Sequence, residues 1–111
     1  DYKVTGVQTC ALPILFKING NYSDEAILAA AAKLNDFIED QPGFISRTLS
    51  KAEDGIWNDL VLWKDLASAQ KAGEKVMNEP CAGEFFNMID ESTMQFLHLK
   101  PKLDFKVTEI I

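Results

Sequence analysis

The sequence predicts an α+β domain of the ferredoxin-like type, in which a four-stranded antiparallel sheet carries helices on one face. Three observations predict it. Apolar residues alternate with a period of two in four segments, they recur at helical spacing in two longer segments, and the segments follow the order β-α-β-β-α-β. A chain of 111 residues is long enough for one core and too short for two.

The first strand is predicted over residues 14–19, where apolar and more polar residues alternate. Ser23 is a good N-cap for the helix that follows, and the acidic residues after it suit the positive end of the helix dipole. A Pro-Gly pair at residues 42–43 ends this helix. Its apolar face is predicted to consist of Ile27, Ala30, Ala31, Leu34, Phe37 and Ile38.

Two strands, over residues 44–51 and 57–64, are joined by Asp54-Gly55, which is a strong signal for a hairpin turn. The second helix is predicted to begin near Asp65 and to be interrupted at residues 78–80. Pro80 then suits the start of a further helical turn or two. Residues 90–93 are predicted as a turn and residues 94–100 as the fourth strand.

The segment from Val4 to Ile14 reads VTGVQTCALPI and resembles the in-frame translation of a sequencing-library adapter. On this interpretation we expect residues 1–14 to be non-native and residues 15–101 to form the domain. Residues 102–111 are expected to form a C-terminal arm or an extra strand. The alternative is a genuine strand start that happens to match.

The composition argues against several classes of partner. The net charge is −6 and Arg47 is the single arginine, so the surface repels phosphate backbones and anionic lipids. We therefore expect no nucleic-acid partner and no membrane partner. Cys10, Cys81 and one histidine make neither a disulfide framework nor a zinc set, so we expect no metal and a cytoplasmic location.

Both faces of the hairpin are predicted to be substantially apolar. With a two-residue turn at Asp54-Gly55, one face carries Ile45, Leu49, Leu60 and Leu62, with Arg47 and Asn58 among them. The opposite face carries Phe44, Trp57, Val61 and Trp63, with Ser46, Thr48, Ser50 and Asp59 among them. Helices cover only one face, so we expect a second copy of the chain to cover the other in a homodimer. A one-residue change in the turn would re-sort these sets.

The second of these faces has the composition of a ligand cavity or of a core. Trp57 and Trp63 would either stack a flat substrate or pack as core. Asp59 between them would accept a proton if it is desolvated, or else pair with Arg47 or a lysine. Arg47 would in turn bind a substrate carboxylate or pair with an acid across a strand.

His98 is the single histidine, and it is placed on the fourth strand. Imidazole titrates near neutrality, so this residue is a candidate general base or haem ligand. The alternative is a half-buried ring bonded to a neighbour. Phe85 and Phe86 would line a cavity mouth or close the core.

The sequence resembles the dimeric α+β barrel superfamily, and within it the antibiotic-biosynthesis-monooxygenase-like domains of uncharacterised bacterial members. The stretches that carry the resemblance are residues 42–47, 57–59, 63–72 and 84–90, within a similar region of about residues 15–100. The resemblance implies two sheets packed face to face in a dimer, with a cavity between sheet and helices in each subunit. It does not choose a reaction, since members include cofactor-independent oxygenases, haem-degrading enzymes, cyclases, isomerases and proteins without assigned activity.

Two functions follow as hypotheses. The first is a monooxygenase-like oxidoreductase that acts without a cofactor on a hydrophobic or aromatic small molecule. Its catalytic candidates are His98 and Asp59, and its substrate-binding candidates are Trp57, Trp63, Arg47, Phe85 and Phe86. The second is a non-catalytic dimeric binding module for haem or another apolar ligand.

Overall fold

The computed structural model describes residues 2–4 and 9–107. One four-stranded antiparallel sheet contains, in spatial order, the strands Phe44–Lys51, Trp57–Trp63, Cys10–Ile18 and Ile89–Phe96. Tyr2–Val4 pairs with Phe105–Val107 in a separate two-stranded sheet. The predicted ferredoxin-like α+β class is confirmed, with the second helical segment divided into two helices. In chain order the elements are β1 Tyr2–Val4, β2 Cys10–Ile18, α1 Asp24–Ile38, β3 Phe44–Lys51, β4 Trp57–Trp63, α2 Leu66–Val76, α3 Pro80–Asn87, β5 Ile89–Phe96 and β6 Phe105–Val107.

The helices begin where their capping residues predict. The Ser23 hydroxyl accepts a hydrogen bond from the backbone N–H of Ala26 at 3.2 Å, and Asp65 caps α2 by accepting from the backbone N–H of Ser68 at 2.8 Å. Hydrogen bonds from Ser68 hold the pKa of Asp65 below its ordinary value. Pro80 starts α3 as predicted. Across the described residues, no helix combines the length and the apolar composition that crossing a membrane requires.

The hairpin turn is one residue longer than predicted. The backbone N–H of Gly55 donates to Ala52 at 3.0 Å, Gly55 has φ of +92°, and Lys51 pairs with Trp57. Because side chains alternate along a strand, this odd-length loop moves the side chains of β3 to the opposite face. Arg47 and Leu49 therefore lie on the same face as the β4 residues Trp57, Asp59, Val61 and Trp63.

The three hydroxyl residues of β3 move to the other face, where Ser46 pairs with Leu62 and Thr48 with Leu60. The predicted sorting was wrong for Arg47, Leu49 and the three hydroxyl residues, and right for Phe44. A bulge at Ile45 returns Phe44 to the side of Trp63, and the two rings meet edge to face with centroids 5.8 Å apart.

The last strand of the sheet begins earlier than predicted. The residues expected as a turn, 90–93, lie inside β5 and form a bulge, since Asp90 pairs with Lys17 whereas Gln95 pairs with Leu15. Short polar side chains stabilise this bulge. The Asp90 carboxylate accepts from the backbone N–H of Ser92 at 3.1 Å, and the Thr93 hydroxyl accepts from the backbone N–H of Lys17 at 2.9 Å.

All three helices of the main domain pack on one face of the sheet. One group of buried residues joins α1 and α3 to the sheet around Phe16, Ile27 and Phe85, and a second joins α2 to Val61 and Trp63. Ile38 at the end of α1 contacts both groups. No side chain from the Pro13, Leu15, Leu60 and Leu62 face belongs to either group among the described residues.

Residues 10–14, from the adapter-like segment, form the first half of β2 and pair with β4. Their non-native origin stays a prediction, and residues 1 and 5–8 of that segment lie outside the described residues. Within the predicted C-terminal arm, Phe105–Val107 forms β6, and residues 108–111 lie outside the described residues.

Two glycines have positive φ, a backbone conformation that a residue with a side chain adopts only at a cost in stability. Gly43 has φ of +87°, and a Cβ atom there would overlap the Ser68 side chain, whereas a Cβ atom at Gly55 would meet open space. We expect Gly55→Ala to lower the free energy of unfolding by about 1–2 kcal/mol from the left-handed backbone alone. Gly43→Ala should cost more, since Ser68 must also shift. Urea unfolding of both variants measures this.

Gly20→Ala is the matched control for both, because Gly20 has an ordinary φ and no atom lies within 4 Å of the added methyl group. Its effect should stay within about 0.5 kcal/mol. Equal stability losses at Gly43 and Gly20 would contradict the argument.

Candidate functional site

A cavity of about 330 Å³ lies between the sheet and the helices. Its walls are almost entirely apolar and come from β2, β4, all three helices, and the residues around the end of β5. Three polar side chains also line it, namely Asp59, Gln70 and His98. The apolar lining includes Leu12, Ile14, Leu34, Phe37, Val61, Trp63, Val76, Phe85, Phe86 and Phe96. This combination of a concave apolar surface with few polar groups is typical of a small-molecule site.

Five of the seven residues predicted from the sequence line this cavity, namely Asp59, Trp63, Phe85, Phe86 and His98. The other two, Arg47 and Trp57, do not line it. Their positions explain why.

Arg47 lies behind Asp59 and binds both of its carboxylate oxygens. The Nε atom donates to Oδ1 at 2.9 Å and the Nη2 atom donates to Oδ2 at 2.8 Å. The side chains of Arg47 and Asp59 are 6% and 4% exposed, so this is a buried two-pronged ion pair. The pairing of the two residues, one of the alternatives from the sequence, is therefore observed. A catalytic role for Asp59 stays a prediction.

The guanidinium of Arg47 has two further partners, and both belong to helices. Its Nη1 atom donates to the backbone carbonyl of Ala31 in α1 at 2.8 Å. Its Cζ atom lies 5.7 Å from the centre of the Phe85 ring in α3, within cation–π range. Arg47 therefore connects the sheet to two helices. Its guanidinium is engaged by these contacts, and the residue does not line the cavity.

Trp57 is a core residue. It is 4% exposed, and its ring stacks on Phe16 with centroids 6.3 Å apart and planes 5° apart. The Lys51 Nζ atom lies 5.5 Å from the centre of the Trp57 ring. Trp57 Nε1 is buried without a hydrogen-bond partner in the described part of the chain. Trp63 is also 4% exposed, but it lines the cavity, and its stacking against a ligand stays a prediction.

His98 follows the last strand and lies at the mouth of the cavity. It was predicted within a strand and, in one alternative, as a half-buried ring, but the structure places it after β5 with an exposed side chain. The chain on either side of it is held to β2, because Leu97 donates to the Pro13 carbonyl at 3.2 Å and Leu99 to the Ala11 carbonyl at 2.8 Å. These bonds continue the register of β5, which places His98 opposite Leu12 on the helix-covered face.

Sequence reasoning missed the contribution of α2. Gln70 and Gly73 line the cavity beside the apolar stripe of Ala69, Ala72 and Val76. Their spacing of three residues puts them on one side of the helix, next to that stripe. The spacing was visible in the sequence, but an exposed glutamine beside a glycine gave no reason to place a site there.

The two cysteines are not activated nucleophiles. Burial, with a smaller contribution from the negative charge of Asp65, raises the pKa of the Cys10 thiol. Burial and then Glu79 raise the pKa of Cys81, whose Sγ atom lies 3.6 Å from a Glu79 carboxylate oxygen. A helix start favours a thiolate, but at Cys81 burial and Glu79 outweigh that effect. Across residues 2–4 and 9–107, no three His, Cys, Asp or Glu side chains form a group that could hold a metal ion.

Solved structures of other proteins share this architecture. SnoaB, a cofactor-independent oxygenase from Streptomyces nogalater, superposes with a TM-score of 0.73 at 18% identity, over 86% of this chain and 94% of that chain. An antibiotic biosynthesis monooxygenase-like protein from Bordetella bronchiseptica gives a TM-score of 0.73 at 9% identity, over 85% of this chain and 97% of its own. A similar protein from Nitrosomonas europaea gives a TM-score of 0.72 at 11% identity, over 88% of this chain and 93% of its own.

The chain therefore has the fold of the antibiotic biosynthesis monooxygenase-like proteins, and the resemblance predicted from the sequence is confirmed at the level of the fold. Neither a protein-family model nor a curated protein matches the sequence. At these identities the likeness defines the architecture and leaves the reaction to be argued from the cavity.

The buried ion pair gives a prediction for stability. Arg47→Met and Asp59→Leu should each cost about 3–5 kcal/mol in the free energy of unfolding, because each leaves one buried charge uncompensated. The double variant Arg47→Met/Asp59→Leu should be much less destabilised than the sum of the two, since an apolar pair needs no compensation. Denaturant unfolding of the four proteins measures the coupling.

The Lys33–Glu84 pair serves as the control, because its side chains are 68% and 56% exposed. Lys33→Met should change stability by less than about 1 kcal/mol. Additive effects of the two substitutions at Arg47 and Asp59 would contradict the prediction.

Proposed function

We propose that this protein is a cofactor-independent, monooxygenase-like enzyme that acts on a hydrophobic, aromatic small molecule. The observation that carries the proposal is the apolar cavity with a single imidazole at its mouth, in a fold shared with the cofactor-independent oxygenase SnoaB. A cavity of about 330 Å³ lies at the lower end of the range for small-molecule sites.

The cavity walls favour a flat, apolar ligand. Trp63, Phe85 and Phe86 line it, and Phe85 meets Phe86 edge to face with centroids 5.5 Å apart. A fixed pair of perpendicular rings is a rigid wall against which a planar molecule packs with little loss of side-chain entropy. These residues are the proposed binding surface.

His98 is the proposed general base. In the described part of the chain its imidazole has no hydrogen-bond partner, whereas both oxygens of Asp59 are bound by Arg47. A base must have a free lone pair within reach of the proton it removes. Asp59 has lone pairs left, but both of its oxygens already accept from the Arg47 cation, whereas the His98 lone pair is not shared.

The proposed reaction begins when His98 removes a proton from an acidic C–H bond of the substrate. The resulting carbanion is stabilised by the aromatic rings of the substrate and reduces dioxygen itself, so no cofactor need supply electrons. Transfer of one electron and recombination form a C–O bond and a hydroperoxide. Loss of water from it converts the CH₂ group and O₂ into a C=O group and H₂O, which balances atoms and electrons.

Haem, the ligand considered in the alternative hypothesis, fits the lining poorly. None of the described residues that line the cavity is a lysine or an arginine to pair with the propionates, and the buried acid there is Asp59. A non-catalytic module would therefore bind a neutral apolar ligand, and its distinguishing property would be binding without oxygen consumption.

The proposed assembly is a homodimer in which the face of the sheet away from the helices is covered by a second copy. That face carries apolar residues at its centre, including Leu15, Leu60 and Leu62, and hydroxyl residues on β3. A two-fold packing of this face on itself would remove its leucines from water.

The His98→Ala variant tests the proposed chemistry. With anthrone as the trial substrate, the wild-type chain should consume one dioxygen per anthrone above the uncatalysed background. The variant should lose about 100-fold or more in kcat while KM changes little, because His98 acts on the proton and contributes little of the wall. An oxygen electrode and the absorbance of the quinone product measure both quantities.

Lys100→Ala is the matched control, since Lys100 is an exposed cation two residues further along the same segment. Unchanged kcat in His98→Ala would remove His98 from the mechanism. Anthrone binding by the wild-type chain without oxygen uptake would favour the non-catalytic binding module instead.

The dimer is tested by sedimentation of the wild-type chain and of Leu60→Lys. The wild-type chain should sediment with twice the mass of one chain, and Leu60→Lys should shift it towards the single chain because a charge would be buried in the interface. Leu28→Lys, at an exposed position of α1, is the control. A wild-type chain that stays single at high concentration would contradict the assembly.

A further inference from the structure

We propose that Asp59 makes the cavity selective for a neutral ligand that donates a hydrogen bond, such as a phenol, and that it rejects carboxylates of the same shape. The inference rests on the proposed function only in taking this cavity as the binding site. It names the class of ligand within that site.

The carboxylate of Asp59 has lone pairs that Arg47 does not occupy. An ionised carboxylate offers about four lone-pair positions, and Arg47 occupies one on each oxygen. Asp59, with a side chain that is 4% exposed, is among the residues that line the cavity, whereas Arg47 is not. The remaining acceptor capacity of Asp59 is therefore available to a donor group that enters the cavity.

The charges of the buried pair disfavour an anionic ligand. The buried pair carries no net charge, and of its two members Asp59 lines the cavity whereas Arg47 does not. A ligand carboxylate would meet the oxygens of Asp59 before it could reach Arg47, whose fork is already engaged. An anion is therefore repelled and desolvated without gaining a partner.

A ligand without a hydrogen-bond donor is disfavoured as well. An apolar ligand that fills the cavity offers no hydrogen-bond donor to the remaining lone pairs of Asp59. A site with a buried acceptor discriminates against ligands that lack the donor, because the acceptor is then left unpaired. A hydroxyl group on the ligand removes that penalty.

Three ligands with one ring frame test the inference, namely 2-naphthol, 2-methoxynaphthalene and 2-naphthoate. Quenching of tryptophan fluorescence gives the dissociation constants on the wild-type chain, since Trp63 lies in the wall. The dissociation constant should be about 10- to 100-fold lower for 2-naphthol than for 2-methoxynaphthalene, and 2-naphthoate should bind no better than 2-methoxynaphthalene. Equal affinities for the first two, tighter binding of 2-naphthoate, or binding of none of them would overturn the inference.

The double variant Arg47→Met/Asp59→Leu provides the second measurement, because it removes the acceptor and leaves no buried charge behind. In it 2-methoxynaphthalene should bind at least as tightly as 2-naphthol. A preference for 2-naphthol that survives in this variant would show that Asp59 is not its source. If the variant does not fold, the wild-type series alone decides.

These outcomes are separate from the test of the oxygenase chemistry, because binding is measured without turnover. A chain that prefers 2-naphthol but consumes no oxygen with anthrone retains the selectivity and loses the proposed reaction. A chain that oxidises anthrone but binds 2-naphthol and 2-methoxynaphthalene equally retains the reaction and loses the selectivity.

Discussion

The buried contact between Asp59 and Arg47 is the interaction on which the arrangement of sheet and helices depends. A carboxylate that is 2% exposed in the middle of a sheet costs several kcal/mol in lost hydration unless a partner binds it. The guanidinium supplies that partner at both oxygens and also binds the carbonyl of Ala31 and the ring of Phe85. One side chain thus joins β3, β4, α1 and α3. Because the donors of Arg47 are used in this way, the member of the pair that lines the cavity is the acceptor Asp59 and not the cation.

Whether this contact forms at all is decided by the length of the hairpin loop. Side chains alternate along a strand, so Arg47 shares a face with Asp59 only if the loop between β3 and β4 has an odd number of residues. Gly55 permits this by adopting φ of +92°. One residue fewer would have placed Arg47 on the face away from the helices and left Asp59 without its partner.

These two features mark the limit of what the sequence predicts. The element order and the helix starts at Ser23 and Asp65 follow from local signals, namely alternation, helical spacing and capping residues, and they are confirmed. Asp-Gly suits both a two-residue turn and a longer turn that ends in a left-handed glycine, so the register was not predictable from that pair. The turn predicted over residues 90–93 is wrong for a similar reason, since the polar side chains there bond to nearby backbone both in a turn and in a bulge.

The candidate site was predictable in its residue types and not in its geometry. Aromatic residues, one acid and one histidine pointed to a pocket, but composition does not separate Trp63 in the wall from Trp57 in the core. That separation depends on which strand neighbours fill the space above each ring. Phe16 stacks on Trp57, whereas Trp63 is grouped with the small residues Ala69 and Ala72, which line the cavity with it.

Asp59 and His98, two of the three polar residues that line the cavity, lie at different positions along it. Asp59 pairs with Ile14, and Ile14 pairs with Phe96, whereas His98 lies opposite Leu12, two residues further along β2. Two strand spacings and two residue rises put the Cα atoms of Asp59 and His98 about 12 Å apart. A single ring cannot span that gap, but a fused-ring frame can place a hydroxyl at Asp59 while a carbon at its other end faces His98. A hydrogen bond to the buried Asp59 would then orient the reacting carbon towards the exposed His98.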